Sequence, residues 1–126
     1  MSQIRSKDTK PELLVRRFLF AHGFRFRLHR KDLPGKPDII LPKYKTVIFI
    51  NGCFWHGHND CKYASIPETN RDFWFVKISG NAERDKINYQ LLKELGWKVI
   101  EIWQCQLKPR TKDLTLQNLL MQLHNE

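Results

Sequence analysis

Cys53, His58 and Cys61 stand in the spacing Cys-x4-His-x2-Cys, and Cys105 is the only other cysteine in the chain. Three thiolates and one imidazole are the donor set of a tetrahedral structural zinc site. A site closed by four protein ligands leaves no position for water, so such a metal holds loops together and takes no part in a reaction. His56 is also within reach of Cys53, and spacing alone leaves His56 and His58 as alternatives for the imidazole ligand. The plainer reading, that Cys53 or Cys105 is a small buried apolar residue, leaves the loop between residues 52 and 68 without a staple.

A second group of residues fits hydrolytic chemistry. Gly35-Lys36-Pro37-Asp38 leads into one apolar stretch, and the neighbouring stretch ends at Asn51. A carboxylate at the mouth of a sheet can hold Mg²⁺ with a backbone carbonyl and several waters, and that cation can activate water and neutralise charge on a phosphate. A turn aspartate is the commoner use of Pro-Asp. His56, oriented by a distant carboxylate such as Asp85, has the makings of a general base. Phe54-Trp55 and Trp74, near Lys62, Arg71 and Lys77, are either core aromatics or a wedge that enters between base pairs.

These side chains need a scaffold. The chain has 126 residues, enough for one domain. Its 22 Lys and Arg against 13 Asp and Glu give a net charge of +9, which suits a polyanionic partner, nucleic acid before an anionic membrane surface. No apolar run is long enough to cross a bilayer and the first residues are polar, so the expected location is soluble and cytoplasmic. An odd, small number of cysteines does not make a disulfide framework and fits a reducing compartment.

Residues 1–8, with Arg5 and Lys7, read as a basic arm. Thr9-Lys10-Pro11-Glu12 is a capping box that opens a helix closed by Gly23. Phe24 to His29 alternates apolar and basic residues, the pattern of a half-buried strand. Ile39 to Leu41 and Thr46 to Asn51 are two more strands, the second apolar almost throughout, as for a strand covered on both faces. A helical region runs from about Asn70, interrupted near Ser79-Gly80, with Ile87, Leu91 and Leu95 at fourfold spacing. Trp97 to Trp103 is a last strand, and Leu116, Leu119, Leu120 and Leu123 mark a final helix. The order α-β-β-β-α-β-α predicts an α/β fold, a central mixed sheet flanked by helices.

The segments Asp8-Thr9-Lys10-Pro11-Glu12, Leu33-Pro34-Gly35-Lys36-Pro37-Asp38, Val47 to His56, Asn81-Ala82-Glu83-Arg84-Asp85 and Leu95-Gly96-Trp97-Lys98-Val99 together resemble the very short patch repair (Vsr) endonucleases. The resemblance implies a restriction-endonuclease-like fold and an enzyme that nicks duplex DNA beside a T·G mismatch left by deamination of 5-methylcytosine, using Mg²⁺. By position, it makes Asp38 the metal-binding aspartate with the Ile50 carbonyl as a second ligand, Glu12 the acid that orients water, and His56 the base backed by Asp85. It makes Cys53, His58, Cys61 and Cys105 the structural zinc ligands. Phe54, Trp55 and Trp74 become intercalating aromatics, with Lys77, Asn81, Met1 and Ile4 as further DNA contacts.

Two departures mark this chain. Asn51 stands where some members carry a histidine, and neutral asparagine can hydrogen-bond a phosphate oxygen but not exchange a proton. The Asn59-Asp60 stretch makes the ligand loop one residue longer than in some members. The expected protein is a monomer acting on double-stranded DNA, with mismatch repair proteins as further candidate partners and no membrane. A restriction-type nuclease on the same fold, or a zinc-stapled DNA-binding domain without activity, are the rival readings.

Overall fold

The computed structural model describes residues 9–28, 30–59 and 61–124. The basic arm, with Met1 and Ile4, lies outside the described residues. Helix α1 (Lys10–Ala21) starts as its sequence dictates, with the Thr9 hydroxyl accepting from the Glu12 N–H at 3.4 Å and Pro11 in the first turn. Its inward stripe is Glu12, Val15 and Leu19, all buried.

Strands β1 (Ile39–Leu41), β2 (Thr46–Asn51) and β3 (Lys98–Trp103) form one sheet in the order β1-β2-β3. β1 and β2 are antiparallel, joined by a turn with Lys45 in the left-handed region. β2 and β3 are parallel, from Thr46 beside Lys98 to Asn51 beside Trp103, so they need a long crossover. Helix α2 (Arg71–Glu94) supplies it, and helix α3 (Lys112–His124) follows β3.

Alternation along β2 sorts the core into two layers. Ile48 and Ile50 face α1 and α3, where Val15, Leu19, Leu116, Leu119 and Leu123 are buried. Val47 and Phe49 face the other way, onto Leu92 of α2 and Trp97. The result is an α/β protein with a three-stranded mixed sheet between helices.

Two expectations are corrected. In the segment expected as a strand over Phe24 to His29, the described residues 24–28 form none and contribute one bridge, Arg27 N–H to Ile40 C=O at 2.8 Å and the reverse at 2.9 Å. A three-residue β1 turns only its middle residue outward, so there is no ladder for the segment to extend. The inside-outside alternation survives all the same, with Phe24 buried and Arg25 and Arg27 exposed. Helix α2, for its part, passes through Ser79-Gly80 without a break. A helical glycine costs about 1 kcal/mol, less than the burial of Ile78 and Leu92 returns. Ile87, Leu91 and Leu95, for all their spacing, are exposed.

Candidate active site

A cleft of about 610 Å³ opens where β1 begins and β2 ends. Antiparallel pairing of the two strands puts Asp38, just before β1, next to Ile50, twelve residues on. The Ile50 N–H donates to Asp38 Oδ2 at 2.7 Å. An extended residue turns its N–H and C=O to the same side, so the Ile50 carbonyl lies along the same edge as this carboxylate. α1 brings Glu12 to the cleft, 4% exposed, its carboxylate accepting from Arg16 Nη2 at 3.2 Å.

Burial is the largest influence on the Asp38 carboxyl and lifts it to about 7. The Ile50 hydrogen bond works against this, Glu12 adds to it, and His56 and Arg16 oppose it. A carboxyl so poised, beside a second buried acid and a backbone carbonyl, has the donor chemistry of a site for a small hard cation.

Opposite Asp38, His56 Nδ1 and Asp85 Oδ2 are 2.6 Å apart. The contact joins a loop to the middle of α2, and it leaves Nε2 as the nitrogen available to a substrate. Asp38, Glu12, His56 and Asp85 thus share one cleft, with Asn51, Lys36 and Gln104 also on its walls.

Next to it, one nitrogen or sulfur atom from each of Cys53, His58, Cys61 and Cys105 lies within 4.8 Å of every other. Tetrahedral zinc with bonds of roughly 2.0–2.3 Å needs ligand atoms somewhat under 4 Å apart, so this donor set fits the ion with little movement. The His58 ring stacks on Trp103, 4.1 Å between centroids and 4° between planes. Cys105 Sγ approaches His58 Nδ1 at 3.5 Å. The ambiguity that spacing left open is therefore answered by geometry: His58 joins the thiols and His56 joins Asp85.

Burial raises the Cys53 thiol and holds Cys105 up to about 12. For Cys61 burial pulls upward too, yet hydrogen bonds at Tyr63 and Ala64 and from the other two sulfurs leave it below the ordinary value. A cation bound here must displace protons, so its affinity rises with pH. Gly57 makes the loop's return possible: its φ is +65°, and a Cβ there would meet Ile78 Cγ2 at 2.9 Å.

The ligand loop also carries aromatics. Phe54, Trp55 and Trp74 meet edge to face, with centroids 5.4 Å apart for Phe54–Trp55 and for Phe54–Trp74, and 5.7 Å for Trp55–Trp74. Asn81 donates to the Trp55 carbonyl at 2.9 Å, tying the loop to α2, and Lys77 is exposed one turn after Trp74. Phe73, on Trp74 at 5.1 Å, extends the cluster and was not singled out in the sequence. Tyr89 and Glu101 were also missed. Tyr89 lies four residues after Asp85 on α2, a helical spacing that could have flagged it.

An acid pair, an oriented imidazole and a cluster of aromatics in a basic protein fit a hydrolase of the nuclease class. The comparisons agree. A family model described as DNA mismatch endonuclease Vsr matches residues 1–63. The "Type II nicking enzyme V.NmeAIP" of Neisseria meningitidis is 56% identical over 108 residues, covering 86% of this chain and 76% of that protein. The "Type II nicking enzyme V.XorIIP" of Xanthomonas oryzae pv. oryzae is 50% identical over 107 residues, 85% and 78% of the two chains. The "DNA mismatch endonuclease Vsr" of Escherichia coli is 41% identical over 112 residues, 89% and 71%. The chain belongs to the Vsr family of DNA mismatch endonucleases.

Proposed function

We propose that the protein is a Mg²⁺-dependent endonuclease with a restriction-endonuclease-like fold that nicks one strand of duplex DNA beside a T·G mismatch. The observation that carries this reading is one cleft holding Asp38, Glu12 and the His56–Asp85 pair directly beside the Phe54–Trp55–Trp74 cluster.

Asp38 and the Ile50 carbonyl would hold the Mg²⁺, and Glu12 would orient water beside them. When bound, the cation supplies charge stabilisation at the phosphate and lowers the pKa of water. His56 takes a proton from the attacking water at Nε2, while Asp85 fixes the ring through Nδ1. The aromatic cluster enters the stack, and a mismatched pair costs less to unstack than a paired one, which supplies part of the selectivity. Lys77 would meet the DNA, and Asn81, donating to the Trp55 carbonyl, would steady the aromatic cluster. Cys53, His58, Cys61 and Cys105 would hold Zn²⁺ as a structural ion. One chain carries every group the nick requires, so the working unit is a monomer in the bacterial cytoplasm.

His56→Ala is expected to lower kcat roughly 10²–10³-fold with DNA affinity intact, the usual loss on removing a general base. Asp85→Asn, which leaves the imidazole present but misoriented, is expected to cost about tenfold. Single-turnover nicking and a binding isotherm on one labelled duplex read both. The function as a whole is tested by nicking of a T·G duplex and its fully paired counterpart in Mg²⁺. A single-strand break confined to the mismatched duplex is expected. Cleavage of both strands in both duplexes favours a restriction-type enzyme, and binding without any cleavage favours an inactive DNA-binding domain.

A further inference from the structure

Asn51 ends β2 with 2% of its surface exposed and lies on the wall of the cleft. Its Nδ2 donates to Tyr89 Oη and to Glu101 Oε2, both at 2.9 Å. The Tyr89 hydroxyl donates to the same Glu101 oxygen at 3.0 Å. The two ends of a carboxamide are easily exchanged in a structure, but here chemistry assigns them. The Glu101 oxygen that accepts from the Tyr89 hydroxyl also faces Asn51, so the Asn51 atom there is the nitrogen. Oδ1 then has no hydrogen-bond partner among the described residues, yet it is not among the side-chain atoms sealed from solvent.

This turns the sequence expectation around. An unpartnered carboxamide oxygen on a residue that lines the cleft cannot pair with a phosphate oxygen, since both are acceptors. It pairs with a donor, and the donor that phosphodiester hydrolysis brings to this place is water. We propose that Tyr89 and Glu101 are positioning residues that lock Asn51 with Oδ1 toward the cleft, where it accepts a hydrogen bond from the attacking water. The proposal rests on the endonuclease reading above and adds an orienting group to it.

The lock is built into the scaffold. Tyr89 follows Asp85 by one helical turn on α2, so the same helix face steadies His56 through one residue and Asn51 through the other. The Tyr89 ring packs on Phe49 at 4.7 Å. Burial, the largest influence on the Tyr89 hydroxyl, keeps it protonated and therefore able to donate to Glu101. Glu101 itself stands on β3 beside Phe49 of β2, at the register that brings its carboxylate across to Asn51.

Glu101→Ala is the direct test. Without the carboxylate, the Tyr89 hydroxyl is free to donate to Oδ1, and the carboxamide can turn over. Single-turnover nicking of a T·G duplex is expected to slow about tenfold, with the KM for DNA within roughly twofold of wild type. Glu101→Gln keeps an acceptor oxygen in place and is expected to recover most of the loss. The second readout needs no catalysis. The Asn51 side-chain ¹⁵N–¹H₂ resonance, assigned by its disappearance in Asn51→Asp, should exchange slowly with water in the wild-type protein and fast in Glu101→Ala. A rise in KM at unchanged kcat would show Asn51 donating to the DNA backbone and would overturn the proposal. So would wild-type carboxamide protons exchanging at the rate of exposed amides, a result that stands even if Glu101→Ala misfolds. Slow exchange in a protein that nicks no DNA would preserve the lock and remove the function it serves.

Discussion

Asp38→Asn is expected to reduce nicking by at least about 10⁴-fold while making the protein more stable, a combination that few substitutions produce. Loss of activity follows from loss of the charge that holds the cation, on the scale of several kcal/mol that metal-based charge stabilisation supplies. The gain in stability follows from linkage. An aspartate in the unfolded chain ionises near 3.8, whereas in the fold it does so at about 7. Between those values the folded state binds the extra proton. Whatever stability Asp38 confers is present below 3.8 and lost as the pH climbs through 7.

At pH 8 without added Mg²⁺ the wild-type protein therefore carries a buried negative charge that asparagine does not. The amide oxygen can still accept from the Ile50 N–H. After allowance for screening at the open side of the cleft, the variant should gain about 2 kcal/mol at pH 8 and nothing at pH 4. Denaturant melts at the two pH values read this directly. The same shift makes the cation compete with a proton, so the Mg²⁺ concentration for half-maximal nicking should climb about tenfold per pH unit below 7.

Loss of the proposed structural zinc should be nearly as damaging, although its four ligands would leave it no contact with a reacting atom. Cys61→Ser, or chelation of the wild-type protein, is expected to cut nicking about 10³-fold or more and lower the melting temperature by several degrees. Cys53 leaves β2 two residues after Asn51, and His56 lies three residues further on. Past His56 the loop comes back through His58 and Cys61 to Cys105, beyond the end of β3, and a shared ion there would add a tether to the Asn81 and Asp85 contacts with α2. Without that tether His56 is free to leave Asp85, and the Phe54–Trp55 wedge loses its seat on Trp74. Metal content by atomic emission should read one zinc per chain in the wild type. Adding zinc back should restore the chelated protein, and adding Mg²⁺ should not. Full nicking by a zinc-free protein would show that the four ligands do not shape the site.

Much of this was legible in the residues. An unbroken apolar run of β-branched and aromatic residues from Val47 to Ile50 suits a strand buried on both faces, and Leu116, Leu119 and Leu123 place α3 on one of them. The cluster of three thiols and one imidazole was readable because it uses every cysteine. Long-range partners were harder to read. Spacing could not decide between His56 and His58, because the choice is made by Asp85 on α2 and by Trp103 on β3, residues from distant parts of the chain. The alternation at 24–28 was real as a burial pattern but not as a ladder, since pairing depends on the length of the neighbouring strand. Nor can a sequence show which end of a carboxamide faces a cleft. For Asn51 that depends on Glu101, fifty residues away.

The proposed chemistry depends on Asp38 anchoring a divalent cation against DNA. It is tested most directly by calorimetric titration of Mg²⁺ into the protein bound to an uncleavable phosphorothioate T·G duplex, with Asp38→Asn as the comparison. A binding event in the wild type that vanishes in the variant, with duplex affinity retained by both, is the expected result. Equal Mg²⁺ binding by the two proteins would show that Asp38 does not hold the cation.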